Sequence, residues 1–96
     1  MLTGKQKRYL RAMAVNLRPV FQIGKEGLSE NLKTQLHKYL KKHELMKISL
    51  LNNAPLDKKE LAESLRNDGI FIVQTIGNMM VLFKPNPDLE ERIVLP

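Results

Sequence analysis

Two glycines at G-x-x-G spacing, within Ile23-Gly24-Lys25-Glu26-Gly27-Leu28-Ser29, are the residues whose types and spacing best suit a chemical task, the binding of a phosphate. Glycine turns sharply and lacks the Cβ that would hold a ligand away from main-chain N–H groups. Ser29 suits the N-cap of a helix beginning near Glu30, whose free first-turn amides and positive dipole end attract an anion. Lys25 adds a mobile cation between the glycines. An ordinary turn would show the same two glycines, so the surroundings decide the weight of the pattern.

Catalytic chemistry finds less support. His37 and His43 stand six residues apart on one helix, which turns them to different faces and excludes a simple two-histidine metal pair. Ser29 has no evident general base, and Asp57 and Glu60 are explained as helix caps. Gly24-Lys25 lacks the P-loop pattern, which needs four residues between its glycines and then Lys-Ser/Thr. The expectation is a protein that is not an enzyme, with no cofactor, no metal and no small-molecule substrate.

The elements that must position the turn follow in order. Thr3 and Gln6 form a capping-box pattern, and helix formers run to about Asn16, with Tyr9, Leu10, Met13 and Leu17 as the expected buried stripe. Lys7, Arg8 and Arg11 fall on the other side, either as a solvated face or as a flank to the glycine turn. Arg18-Pro19 breaks the helix, and Val20 to Ile23 reads as a strand. After the turn, Leu32, Leu36, Tyr39 and Leu40 mark a second helix to about His43, with Lys33, His37 and Lys41 four residues apart along its flank. Leu45 to Leu51 reads as a strand with Met46, Ile48 and Leu50 on one face and Lys47 and Ser49 on the other. Asp57 and Glu60 cap a third helix, with Leu56 and Leu61 at staple positions and Gly69 as its stop. Ile70 to Ile76 and Met79 to Phe83 form a hairpin about Gly77-Asn78. Its apolar residues fall on both faces (Ile70, Ile72 and Ile76; Phe71 and Val73), so the sheet is expected to be covered on both sides. Residues 85–96 form a tail in which Ile93-Val94-Leu95 can dock on the body or on a partner.

Length and charge bound the rest. The 96 residues, with 43% hydrophobic and 27% charged, suit one small domain, and the chain has no cysteine. No apolar run reaches the roughly 20 residues of a membrane span and the N-terminus lacks a signal-peptide core, so a cytoplasmic location is expected. The net charge of +6 is uneven: residues 1–50 carry 11 Lys and Arg against three acids, residues 51–96 five against seven. The basic half holds the glycine turn, which favours a polyanionic partner, nucleic acid before membrane. A protein-interaction module, using the tail and an apolar surface with Met46, Met79 and Met80 while charge serves solubility, is the competing expectation.

Taken together, Leu2-Thr3-Gly4-Lys5-Gln6-Lys7-Arg8-Tyr9-Leu10, Arg18-Pro19-Val20, Ile23 to Glu30, His43-Glu44-Leu45-Met46-Lys47, Gln74-Thr75-Ile76-Gly77-Asn78 and Val81-Leu82 resemble a stand-alone bacterial CRM domain (chloroplast RNA splicing and ribosome maturation) of the YhbY type. The resemblance implies a compact single α/β domain over residues 1–96, of order α-β-α-β-α-β-β. It also implies a mixed four-stranded sheet with three helices, similar to the C-terminal domain of a bacterial translation initiation factor, and a KH-like G-x-x-G loop. It further implies RNA binding without catalysis, the partner being ribosomal RNA in precursors of the large subunit; a monomer is expected. The RNA-binding set is then Gly24, Lys25, Glu26, Gly27, Leu28 and Ser29, flanked by Lys7, Arg8, Arg11, Lys33, His37 and Lys41. Glu26 departs from the basic or small polar residues usual between the glycines of KH-type loops.

Overall fold

Three helix starts are set by side chains that take up orphan amides. In the computed structural model, which describes residues 2–96, Thr3 Oγ1 accepts from the Gln6 N–H at 3.1 Å while Gln6 Oε1 accepts from the Thr3 N–H at 3.0 Å. Asp57 and Glu60 repeat this box, and Ser29 Oγ accepts from the Leu32 N–H at 3.2 Å. The helices are α1 (Gly4–Ala14), α2 (Glu30–His43) and α3 (Lys58–Asn67). The strands are β1 (Pro19–Ile23), β2 (Leu45–Leu50), β3 (Phe71–Ile76) and β4 (Met79–Phe83), in the sheet order β1-β2-β4-β3. β1 runs parallel to β2 through the α2 crossover, and the other pairings are antiparallel. The β3–β4 turn has positive φ at Gly77 (56°) alone, the pattern of a type II′ hairpin turn.

Strand alternation divides the core into two layers. Met46, Ile48, Leu50, Met80 and Leu82 face α2 and α3 and pack with Ile23, Leu36, Leu40, Leu61 and Leu65. Leu45, Val73, Val81 and Phe83 face the other way and pack with Leu10 and Ala14 of α1. The sheet is therefore covered on both faces, as its mixed apolar pattern predicts. The tail completes the second layer: Ile93 and Leu95 pack there, and Glu44 Oε1 and Oε2 accept the N–H groups of Ile93 and Asn86 at 2.6 and 2.7 Å.

Three expectations need correction. α1 buries Leu10 and Ala14, while Tyr9 and Met13 are 43% and 42% exposed and Leu17 lies beyond the helix. Small Ala14 lets the helix sit close to the sheet, and the larger apolar residues are left on its outer flank. β2 has no polar outer face, since Ser49 is buried and Lys47 half-buried under the α1 side. In β3 the register shifts between Ile72 and Gln74, so Gln74 opposes Val81 and Ile76 opposes Met79. This bulge at Val73 moves Ile76 off the face of Ile70 and Ile72 and onto the α1 face.

Candidate nucleic-acid interface

Ile23 ends β1 beside Leu50, and the chain turns at once: the Gly27 N–H donates to the Gly24 carbonyl at 2.8 Å. Lys25 and Glu26 occupy the exposed tip with negative φ, and Gly27 takes φ 65°, the arrangement of a type I turn closed by glycine. The glycines have a packing role that their spacing does not reveal. A Cβ on Gly27 would lie 3.0 Å from Pro55 Cγ, and one on Gly24 would lie 3.3 Å from Leu51 Cδ1. The turn is seated on the loop that follows β2, so the missing side chains make room for protein, and the ligand-facing part is the tip. With the Gly27 amide engaged, the N–H groups of Lys25, Glu26, Leu28, Glu30 and Asn31 have no acceptor among the described residues. They lie at the positive end of the 14-residue α2, where an anion is favoured.

The expected cation ladder is present along α2, and it has neighbours from two other segments. Lys33 Nζ lies 3.9 Å from Asp68 Oδ2 and 4.0 Å from Glu30 Oε1. His37 Nε2 is 4.0 Å from Asp68 Oδ2, and its Nδ1 is 3.4 Å from Lys84 Nζ. Contacts this long at a partly exposed surface hold little energy, so Asp68 mutes Lys33 and His37 without removing them. Lys38, Lys41 and Lys42 are exposed. His43 stacks at 4.3 Å on Tyr39, so the two histidines point to different neighbours. Lys84 was not among the residues expected at the site; its only sequence signal is a cation directly after β4, and its proximity to α2 is a product of topology.

Lys7, Arg8 and Arg11 do not join this patch. They belong to α1, on the opposite face of the sheet, because Leu10 and Ala14 share their layer with Leu45 and Val81. Lys7 lines a depression with Arg66 and Phe71, and Arg11 lies beside Lys47 and Gln74. The expected single basic surface is two surfaces, one on each face of the sheet, and the glycine turn and the Gly77–Asn78 turn share one end of that sheet.

Comparison with known proteins agrees with this architecture. The CRS1 / YhbY (CRM) domain matches residues 2–84, nearly the whole folded body. The chain belongs to this family. The whole chain is 45% identical over 97 residues to "Probable RNA-binding protein YqeI" of Bacillus subtilis, covering 100% of both chains. It is 35% identical to an "RNA-binding protein" of Haemophilus influenzae, over 99% of this chain and 95% of that one. The solution structure of SAV1595 from Staphylococcus aureus superposes with a TM-score of 0.80 at 47% identity, covering 100% of each chain. The CRM match stops at residue 84, so the tail that Glu44 fastens lies beyond it.

Proposed function

We propose that this CRM domain is an RNA-binding protein that acts without catalysis in ribosome assembly, in the cytoplasm, on ribosomal RNA of large-subunit precursors. The observation that carries the RNA contact is the alignment along α2. An exposed tip with Lys25 and unpaired amides stands at its N-terminus, and Lys33, Lys38 and Lys41 continue down its length. Relatives across their full length bear names as RNA-binding proteins, which supports the same reading. The ribosomal target rests on the family resemblance. One phosphate is held by the amides at Lys25, Glu26 and Leu28, its neighbours by the α2 lysines, with shape counting for more than base identity.

The test is RNA binding as a function of salt, followed by crosslinking in cells. Four phosphate contacts give a slope of log affinity against log salt of about −2.8, at roughly −0.7 per contact on a single strand. Lys25→Glu should weaken binding, and Glu26→Gln should tighten it by roughly two- to fivefold, since it removes the acid from the tip. Crosslinked reads should concentrate on precursor large-subunit RNA and fall away in Lys25→Glu. A flat salt response, or reads unchanged by Lys25→Glu, would place the site elsewhere. Gly27 is unsuited to this test, because any side chain there meets Pro55.

A further inference from the structure

The second basic surface contains a built notch. Where the C-terminal end of α1 meets the β3–β4 hairpin, Arg11 and Val15 of the helix side, Lys47 of β2, and Gln74 and Ile76 of β3 line a depression of about 340 Å³. That is the lower end of the roughly 300–1,000 Å³ range of ligand clefts, a size for a single nucleotide unit. Lys47 lies on a central strand, between Pro19 of β1 and Val81 of β4, which is an unusual place for a charge. Both Lys47 and Arg11 are half-buried, and among the described residues neither has a carboxylate within ion-pair distance. The nearby C-terminal end of α1 supplies about half a negative charge, which falls short of two cations. The α2 patch, by contrast, carries its own acids, Glu30 and Asp68.

The bulge at Val73 gives the notch its other walls. Without it Gln74 and Ile76 would face α2 and α3; with it they share the face of Lys47, Gln74 lying across Val81 from it, and Ile76 remains 53% exposed. Two unpaired cations suit a phosphate, an amide able to donate and accept suits a base edge, and the exposed aliphatic side chain of Ile76 offers apolar surface to the face of a base. Along β2 the step from Lys47 to Leu50 is about 10 Å at 3.3 Å per residue, after which the chain neighbours the Gly24 turn.

We infer that Arg11, Lys47, Gln74 and Ile76 form a second nucleotide subsite, which receives single-stranded RNA passing over the end of the sheet from the Gly24–Gly27 turn. The inference rests on the RNA-binding reading and extends it to the α1 face. Lys47→Met keeps the stem and removes the charge, and Ile76→Ser alters an exposed side chain, so both leave the fold intact. Binding of a short mixed-sequence oligoribonucleotide is measured against salt for the full chain and both variants. Lys47→Met should lower affinity roughly three- to tenfold and flatten the salt slope by about 0.7. Ile76→Ser should lower affinity with the slope unchanged, because it removes an apolar contact to a base and no ion. Parental affinity and slope in Lys47→Met overturn the subsite whatever Ile76→Ser does; if Lys25→Glu is still impaired, the RNA-binding reading stands without it. Absence of RNA binding by the parent chain overturns both.

Discussion

Replacing Glu44 should unfasten the C-terminal tail and destabilise the whole domain. Glu44 is 2% exposed, sits at φ 63° directly after α2, and has no cation within ion-pair distance among the described residues. Its oxygens accept two backbone N–H groups, from Asn86 at 2.7 Å and Ile93 at 2.6 Å. Each such charge-assisted bond is worth about 1.5–3 kcal/mol. Against that, burying a carboxylate without a counter-ion costs several kcal/mol, which removal recovers in part. The net loss in Glu44→Ala is then about 2–4 kcal/mol, or a Tm decrease of roughly 10–25 °C for a domain of this size. Glu44→Gly loses the same bonds and relieves the left-handed strain, so it should be about 1 kcal/mol more stable than Glu44→Ala. Urea and thermal denaturation measure the totals, and amide exchange at Asn86 and Ile93 locates the effect. If Glu44→Ala unfolds within 0.5 kcal/mol of the parent, or if those two amides keep their protection, the carboxylate does not hold the tail.

Two further outcomes follow from the interface. Gly27→Ala should cost about 2–3 kcal/mol in urea denaturation, from φ 65° together with a Cβ 3.0 Å from Pro55 Cγ. Gly69→Ala, at φ 81° with open space around it, should cost only about 1 kcal/mol; equal losses would mean that the seat on Pro55 is soft. Asp68→Asn removes the acid that faces Lys33 and His37 at 3.9 and 4.0 Å. Stability should change by less than about 1 kcal/mol, while RNA affinity rises and its salt dependence steepens. Unchanged affinity in a filter-binding titration would remove Lys33 from the contact surface.

Local chemistry was legible in the sequence wherever neighbours along the chain make the contact. Thr3 with Gln6, Asp57 with Glu60 and Gly77 with Asn78 were readable because each acts within four residues, and the element order followed from them. The faces were less legible. Tyr9, Met13 and Leu17 have the spacing of a buried stripe, yet Leu10 and Ala14 share that spacing one residue along, and the sheet accepts the smaller side chain. The bulge that turns Ile76 is a one-residue slip in pairing with Met79, and apolar alternation carries no mark of it. Consequently the individual cations are legible in the sequence, while their division between two faces of the sheet is not.

Glu44 marks the boundary between these cases. α2 ends at His43 and β2 begins at Leu45, so a single residue must reverse the chain, and a reversal that short calls for positive φ, a glycine position by conformational preference. A glutamate in that place signals that its side chain returns more than the strain costs. What it returns is visible only in three dimensions: the acceptors for Asn86 and Ile93, 42 and 49 residues away. A charged residue at a position where backbone geometry favours glycine is therefore a readable clue to a long-range tether, although the partner cannot be read with it. By the same reasoning Lys47, a charge on a central strand, is the clue to the notch on the α1 face, and its partner is expected to be the phosphate that the domain itself does not supply.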